Sequence, residues 1–111
     1  MNTIFGKIIR GELPAERIWE DEELLVIRDK FPVAPVHFLL IPKEEITSLQ
    51  AIKEEQLFYV EKIVKTAQLL AEEYGIAKGY RLLTNVGREG GQTIAHLHFH
   101  LIGGRALGIL G

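Results

Sequence analysis

The residues with the greatest capacity for chemistry lie near the end of the chain, in His96-Leu97-His98-Phe99-His100-Leu101-Ile102, which holds three of the four histidines of the sequence. Side chains alternate faces along a β-strand, so this spacing puts the three imidazoles on one side and Leu97, Phe99 and Leu101 on the other. Three imidazoles sharing one partly buried face repel one another when protonated and need partners when neutral, which reads as a site rather than as packing. Two chemistries suit it. A neutral imidazole offers a lone pair near physiological pH and can attack phosphorus to give a phosphohistidine-type intermediate. His98, in the middle, is then the nucleophile. His96 and His100 flank it as donors to phosphoryl oxygens or to the leaving group, and the second ring nitrogen of His98 needs an acceptor such as a backbone carbonyl to hold the tautomer. The rival is a metal, since imidazole is the commonest metal ligand. On a straight strand His96 and His100 lie ~13 Å apart at Cα, so two of the three reach one ion more easily than all three, and His37 is the outside ligand that a zinc module would recruit.

These histidines need a sheet behind them and a loop in front. Arg17 to Glu20 and Leu24 to Asp29 read as a hairpin around the acidic turn 21–23. Lys30-Phe31-Pro32-Val33-Ala34-Pro35 breaks the pattern, and Val36 to Ile41 gives a third strand that opens on His37 and stops at Pro42. Tyr80 to Thr84 is a fourth strand. It hands the chain to Asn85-Val86-Gly87-Arg88-Glu89-Gly90-Gly91-Gln92-Thr93, whose glycines let successive N–H groups face an anion. Leading straight into the histidine strand, this loop brings the Gly91 N–H, the Thr93 hydroxyl and the Asn85 amide toward the phosphorus that His98 attacks, where preorganised dipoles stabilise developing charge. Gln92 is expected near the phosphate or the leaving group.

Two helices complete the reading. Asn2 or Thr3 caps a short one that ends at Gly11 and lays Phe5, Ile8 and Ile9 on one face. The long one is expected from about Lys53 to Tyr74, with Val60, Ile63, Val64, Ala67, Leu70, Ala71 and Tyr74 at the 3.6 period and Gly75 at its exit. Near its beginning Leu57-Phe58-Tyr59-Val60 wrap most of the circumference, which one sheet face cannot bury. A second apolar surface is implied, and a homodimer is its economical source.

The heptapeptide 96–102 resembles the signature of the histidine triad (HIT) superfamily, His-φ-His-φ-His-φ-φ with φ apolar. Ile4 to Ile9, Asp29, His37 to Lys43, Asn85 and Gly90 to Thr93 resemble its Hint branch in order and at compatible spacing. The resemblance implies an α+β fold: an antiparallel sheet of about five strands with one long and one short helix, continued across a dimer twofold. It implies hydrolysis of the P–N bond of purine nucleoside 5′-phosphoramidates through a nucleotidyl-histidine, with no cofactor and no metal. It also implies roles: Ile4, Phe5, Ile8, Leu13 and Ile27 as an apolar slot for the base, Asp29 as acceptor of the ribose hydroxyls, and His37 as a support for the triad. Thr93 stands where the family usually has serine and keeps the hydroxyl. The tail 103–111 departs from the pattern, lacking the tryptophan near prolines with which many Hint-like proteins reach the partner's site. A dinucleoside polyphosphate hydrolase would share the triad, and so remains a second reading.

The global numbers set limits. A chain of 111 residues with 47% hydrophobic and 25% charged residues makes a single domain over 1–111 with one modest core. A formal net charge of −2 gives nucleic acid no electrostatic footing. No stretch is long and apolar enough for a membrane span or a signal sequence, and the chain has no cysteine. The expectation is therefore a cytoplasmic protein without a disulfide framework or a thiol nucleophile.

Overall fold

A computed structural model describes residues 2–110, so that Met1 and Gly111, the outermost residues of the amino-terminal and tail readings, lie outside it. The first helix, α1 (Ile4–Ile9), begins where Thr3 Oγ1 accepts the Gly6 N–H at 3.1 Å. It ends at Gly11, whose φ of 78° lets the Glu12 N–H return to the Lys7 carbonyl at 2.8 Å. Arg17 reaches over to donate to the freed Ile8 carbonyl at 2.7 Å. The hairpin follows: β1 (Arg17–Glu20) and β2 (Leu24–Arg28) turn on Asp21, whose Oδ1 accepts the N–H groups of both Glu23 and Leu24 at 2.8 Å.

β3 (Val36–Pro42) is buried along its whole length, His37 included, and its apolar run from Phe38 to Pro42 suits a central strand. With β4 (Tyr80–Leu83) and β5 (Phe99–Gly103) it completes an antiparallel five-stranded sheet in the order β1-β2-β3-β5-β4. The expected α+β architecture is therefore present. The strand period of two divides the interior. Leu24, Val26, Phe38, Leu40, Leu97, Phe99 and Leu101 form the larger core cluster under the long helix α2 (Phe58–Glu73), which presses Tyr59, Ile63, Ala67, Leu70 and Ala71 onto them. Leu25, Ile27, Leu39 and Ile41 face the other way and bury Phe5 and Ile8 of α1.

Two elements begin later than the sequence pattern suggests. The helix starts at Phe58 rather than Lys53: the Gln56 and Leu57 N–H groups return to the Lys53 and Glu54 carbonyls at 2.9 and 3.1 Å, three residues back rather than four, and close a separate 3-10 turn at Glu54–Gln56 that the Gln56 side chain caps at the Lys53 N–H. Of the bulky quartet only Tyr59 turns inward. Leu57 and Phe58 are 49% and 44% exposed, and Val60 is half-buried. The histidine strand starts at Phe99, although the alternation of faces runs back to His96. Ahead of it side chains take over from the ladder: Thr84 Oγ1 donates to the His98 carbonyl at 2.6 Å, and the His98 ring engages the His96 carbonyl at 2.8 Å. No helix among the described residues is long and apolar enough to cross a membrane.

Candidate active site

A cavity of about 1030 Å³ opens on the sheet face opposite α2, at the top of the range usual for small-molecule sites. One end is apolar. Ile4, Phe5 and Ile8 from α1, Leu13 beyond it and Ile27 from β2 all line it, together with Leu39 and Ile94, which the sequence did not single out. Asp29 stands beside this slot just past the end of β2. Its Oδ1 accepts the Phe31 N–H at 2.8 Å and its Oδ2 lies 3.3 Å from His37 Nε2. Lys30, Phe31 and Pro32 extend the wall from the break between β2 and β3. At the far end are His98, His100, Asn85, Gly91 and Thr93.

The histidines divide into distinct roles. His98 is buried, with the Phe5 ring edge-on at a centroid distance of 4.8 Å. A carbonyl can only accept, so the 2.8 Å contact with the His96 carbonyl makes His98 Nδ1 the donor. In the neutral ring the lone pair is then left on Nε2. Burial pushes the pKa of this ring below its ordinary value, more than the carbonyl contact and the Asp29 charge raise it, which keeps it neutral. His96 contributes its carbonyl to the site and not its side chain. It is 1% exposed, does not line the cavity, and donates from Nε2 to the Pro42 carbonyl at 2.8 Å. It thereby ties the approach to β5 onto the end of β3.

His100 pairs with Leu39 and His37 with Ile102 in the β3–β5 register, so the two imidazoles are diagonal neighbours on the site face. Their rings meet, His37 Nε2 to His100 Nδ1, at 2.9 Å. His37 is held from behind by the Val33 N–H, 3.2 Å from its Nδ1. Burial lowers the pKa of His37, with Asp29 acting the other way, and burial together with His98 and His37 lowers that of His100 to about 4.

The carboxylate of Asp29 and the rings of His37 and His100 place ligand-type atoms within 4.8 Å of one another, a different set from the His37-plus-two-triad arrangement expected of a zinc module. Their chemistry does not suit a cation. The Val33 N–H occupies the Nδ1 lone pair of His37, so Nε2 carries the proton in the neutral ring. Ligation through Nε2 would require Nδ1 to hold that proton against another N–H, the reverse of the acceptor that orients a ligating histidine.

The glycine loop is braced from within. Gln92 accepts the Gly87 N–H at 2.9 Å and donates to the carbonyls of Thr47 and Ile94 at 2.7 and 2.9 Å, so its side chain is committed to loop structure and does not line the cavity. The Gly91 N–H, expected to face phosphate, donates to the Arg88 carbonyl at 3.1 Å. What the glycines supply is shape. A Cβ at Gly90 would meet the Val86 carbonyl oxygen at 2.3 Å, and Gly91, at φ 89°, packs against the Asn85 side chain. The side-chain donors that the loop and its flanks offer an anion beside His98 are Asn85 and Thr93, both at the cavity wall.

An apolar slot, a carboxylate and a buried neutral imidazole thus meet in one cavity on the sheet that carries the three histidines. Residues 10–107 match the HIT domain family, to which the chain belongs. It is 48% identical over 108 residues, 97% of each chain, to an uncharacterized HIT-like protein of Chlamydia trachomatis. Among solved structures it resembles a HIT family hydrolase from Clostridium thermocellum, with a TM-score of 0.93, 48% identity and coverage of 98% of this chain and 96% of that one. It also resembles a histidine triad protein from Clostridium difficile, with a TM-score of 0.94, 37% identity and coverage of 100% and 97%.

Proposed function

We propose that the protein is a hydrolase of purine nucleoside 5′-phosphoramidates, AMP-amine or AMP-lysine adducts among them, working without metal or cofactor in the cytoplasm as a homodimer. The observation that carries this reading is the orientation of His98: Nδ1–H is spent on the His96 carbonyl and the Nε2 lone pair remains for phosphorus in a cavity with an apolar slot and a carboxylate. The description of the Clostridium thermocellum relative as a hydrolase supports the reaction class.

The reaction has two steps. The base enters the slot of Ile4, Phe5, Ile8, Leu13 and Ile27, and Asp29 accepts the ribose hydroxyls. His98 Nε2 attacks the α-phosphorus, the P–N bond to the amine breaks, and the departing nitrogen takes a proton from water. The hydroxide half of that water then attacks phosphorus, breaking the bond to His98 and releasing the nucleoside monophosphate. Asn85, Thr93 and His100 donate to the phosphoryl oxygens as charge builds on them. His37 supports His100.

The dimer rests on an unpaired strand and an apolar stripe. β4 is an edge of the sheet, and Leu57, Val60 and Val64 lie at helical spacing along α2, with Leu57 and Val64 exposed. Gln68, one turn beyond Val64, shares a groove with Tyr80 of β4, so stripe and strand edge are neighbouring surfaces. A twofold copy would cover both.

The test is a rapid acid quench of the protein with adenosine 5′-phosphoramidate in metal-free buffer, followed by intact-mass measurement, wild type beside His98→Ala. The expected result is one adenylyl group on the wild type alone. Turnover by His98→Ala would remove His98 as the nucleophile, and no turnover by either protein would remove the substrate class.

A further inference from the structure

The sequence directs attention to side chains, yet one end of the His37–His100 pair is closed by a main-chain group. The break between β2 and β3 folds so that the Val33 N–H points at His37 Nδ1. Arg105, beyond β5, holds the same residue from its other side by donating from Nε to the Val33 carbonyl at 2.9 Å. A peptide N–H never accepts, so His37 Nδ1 must carry a lone pair.

The geometry points to the Val33 N–H as the positioning group that fixes His100 as an uncharged Nε2–H donor facing the cavity. Protons can be counted along three contacts. With its Nδ1 lone pair engaged, His37 keeps its only proton on Nε2. That nitrogen lies 2.9 Å from His100 Nδ1, a gap that holds one proton and not two. His100 Nδ1 is therefore an acceptor, and the one proton of its neutral ring stands on Nε2. Asp29 Oδ2, 3.3 Å from His37 Nε2, takes a share of the same N–H without altering the count.

The groups facing His100 are His37, His98 and Asp29, and the balance of burial and these charges leaves it uncharged at neutral pH, in agreement with the count. This deepens the proposed hydrolysis, on which it rests for its catalytic meaning. His100 stabilises charge on the phosphoryl group as a fixed N–H dipole and supplies no net proton to the departing amine, which is why water supplies it. A neutral imidazole does this without the like-charge repulsion that a second cation would bring beside the nucleotidyl-His98 intermediate.

The tautomers are read directly by two-bond 1H–15N correlation of the histidine rings at pH 7 in the uniformly 15N-labelled protein, without substrate. The expected spectrum has His37 and His100 as Nε2–H rings and His98 as the Nδ1–H ring. An imidazolium or an Nδ1–H pattern for His100 overturns the proposal whatever the substrate proves to be. Val33→Pro removes the controlling N–H, so an Nδ1–H population should appear at His37, and an unchanged spectrum in that variant also overturns it. In the phosphoramidate assay, His100→Ala should lower kcat by about 100-fold or more, and His100→Gln, which restores an N–H but cannot act as an acid, should recover about tenfold of that loss. Equal kcat for the two variants refutes the dipole role. Absence of turnover in the wild type refutes the hydrolase reading and leaves the tautomer result standing on its own.

Discussion

Asp29→Asn isolates the contact between the protein and the sugar. The carboxylate already accepts the Phe31 N–H on Oδ1 and faces His37 Nε2 with Oδ2, and its remaining lone pairs are those that the proposed ribose contact would use. A carboxamide has a single acceptor oxygen. If that oxygen keeps the Phe31 N–H, the new NH2 group points at the His37 N–H and the sugar loses its charged acceptor. If the group flips, the turn at Phe31 loses its anchor. A hydrogen bond to a charged group contributes about 1.5–3 kcal/mol, equivalent to about 10- to 150-fold in binding at 1.4 kcal/mol per tenfold. The assay is a cycle: wild type and Asp29→Asn, each with the 5′-phosphoramidates of adenosine and of 2′,3′-dideoxyadenosine. The wild type should favour the ribose substrate by that factor, chiefly through KM, and the variant should show almost no preference. Any loss common to both substrates belongs to the contact with His37 and should appear in kcat. A preference that the substitution leaves unchanged would refute the assignment of Asp29 to the ribose.

Other expectations follow from burial and register. The attack proposed for His98 requires a neutral ring, and its pKa is held below 6.5, so kcat/KM should stay level as pH falls through 6.5 and decline only as pH passes through the lowered value of the folded protein; an acid limb at or above 6.5 would contradict this. All four histidines have depressed pKa values, so the unfolded chain takes up protons at about 6.5 before the folded one does, and stability should drop with pH between there and about 4, where His100 protonates in the fold. Calorimetry finding an equal or higher Tm at pH 5 than at pH 7 would sink that linkage. Leu101→Ala empties a fully buried position under α2 and should cost about 2–5 kcal/mol in urea unfolding; a loss under 1 kcal/mol would mean that the site strand is not anchored as described. Val64→Glu should convert the dimer to a monomer in sedimentation equilibrium, and a wild type that is already monomeric at micromolar concentration would remove the dimer itself.

Much of the fold could be read from period alone. The alternation in 96–102 specifies which face each side chain takes, and the burial of β3 agrees with its apolar run from Phe38 to Pro42. What the sequence concealed were backbone partners, because a pattern of side chains carries no record of where main-chain groups point. The need of His98 for a carbonyl follows from tautomer chemistry, but that the carbonyl would be that of His96, leaving the His96 ring to Pro42, does not. Gln92 and Gly91 match a phosphate-binding motif in type, yet their hydrogen bonds go to Gly87, Thr47, Ile94 and Arg88 and hold the loop's shape instead of facing the cavity. The late start of the long helix has the same origin, in main-chain bonds that close a 3-10 turn at Glu54–Gln56 ahead of it. Thr84, which fixes the His98 carbonyl, is an ordinary strand-end threonine in sequence, and only the spacing between β4 and β5 reveals it.

The strand that carries the chemistry also carries the core. Leu97, Phe99 and Leu101 are packed under α2 while His98 and His100 face the cavity, so a slip of one residue in β5 pairing would drive imidazoles into the apolar layer and expose leucine and phenylalanine to water. Such a chain would be heavily destabilised rather than quietly inactive. The alternation therefore acts as an error check on folding: a molecule that attains the stable packing of this sheet has His98 and His100 on the cavity side. The accuracy of the site is inherited from the exclusion of water on the opposite face.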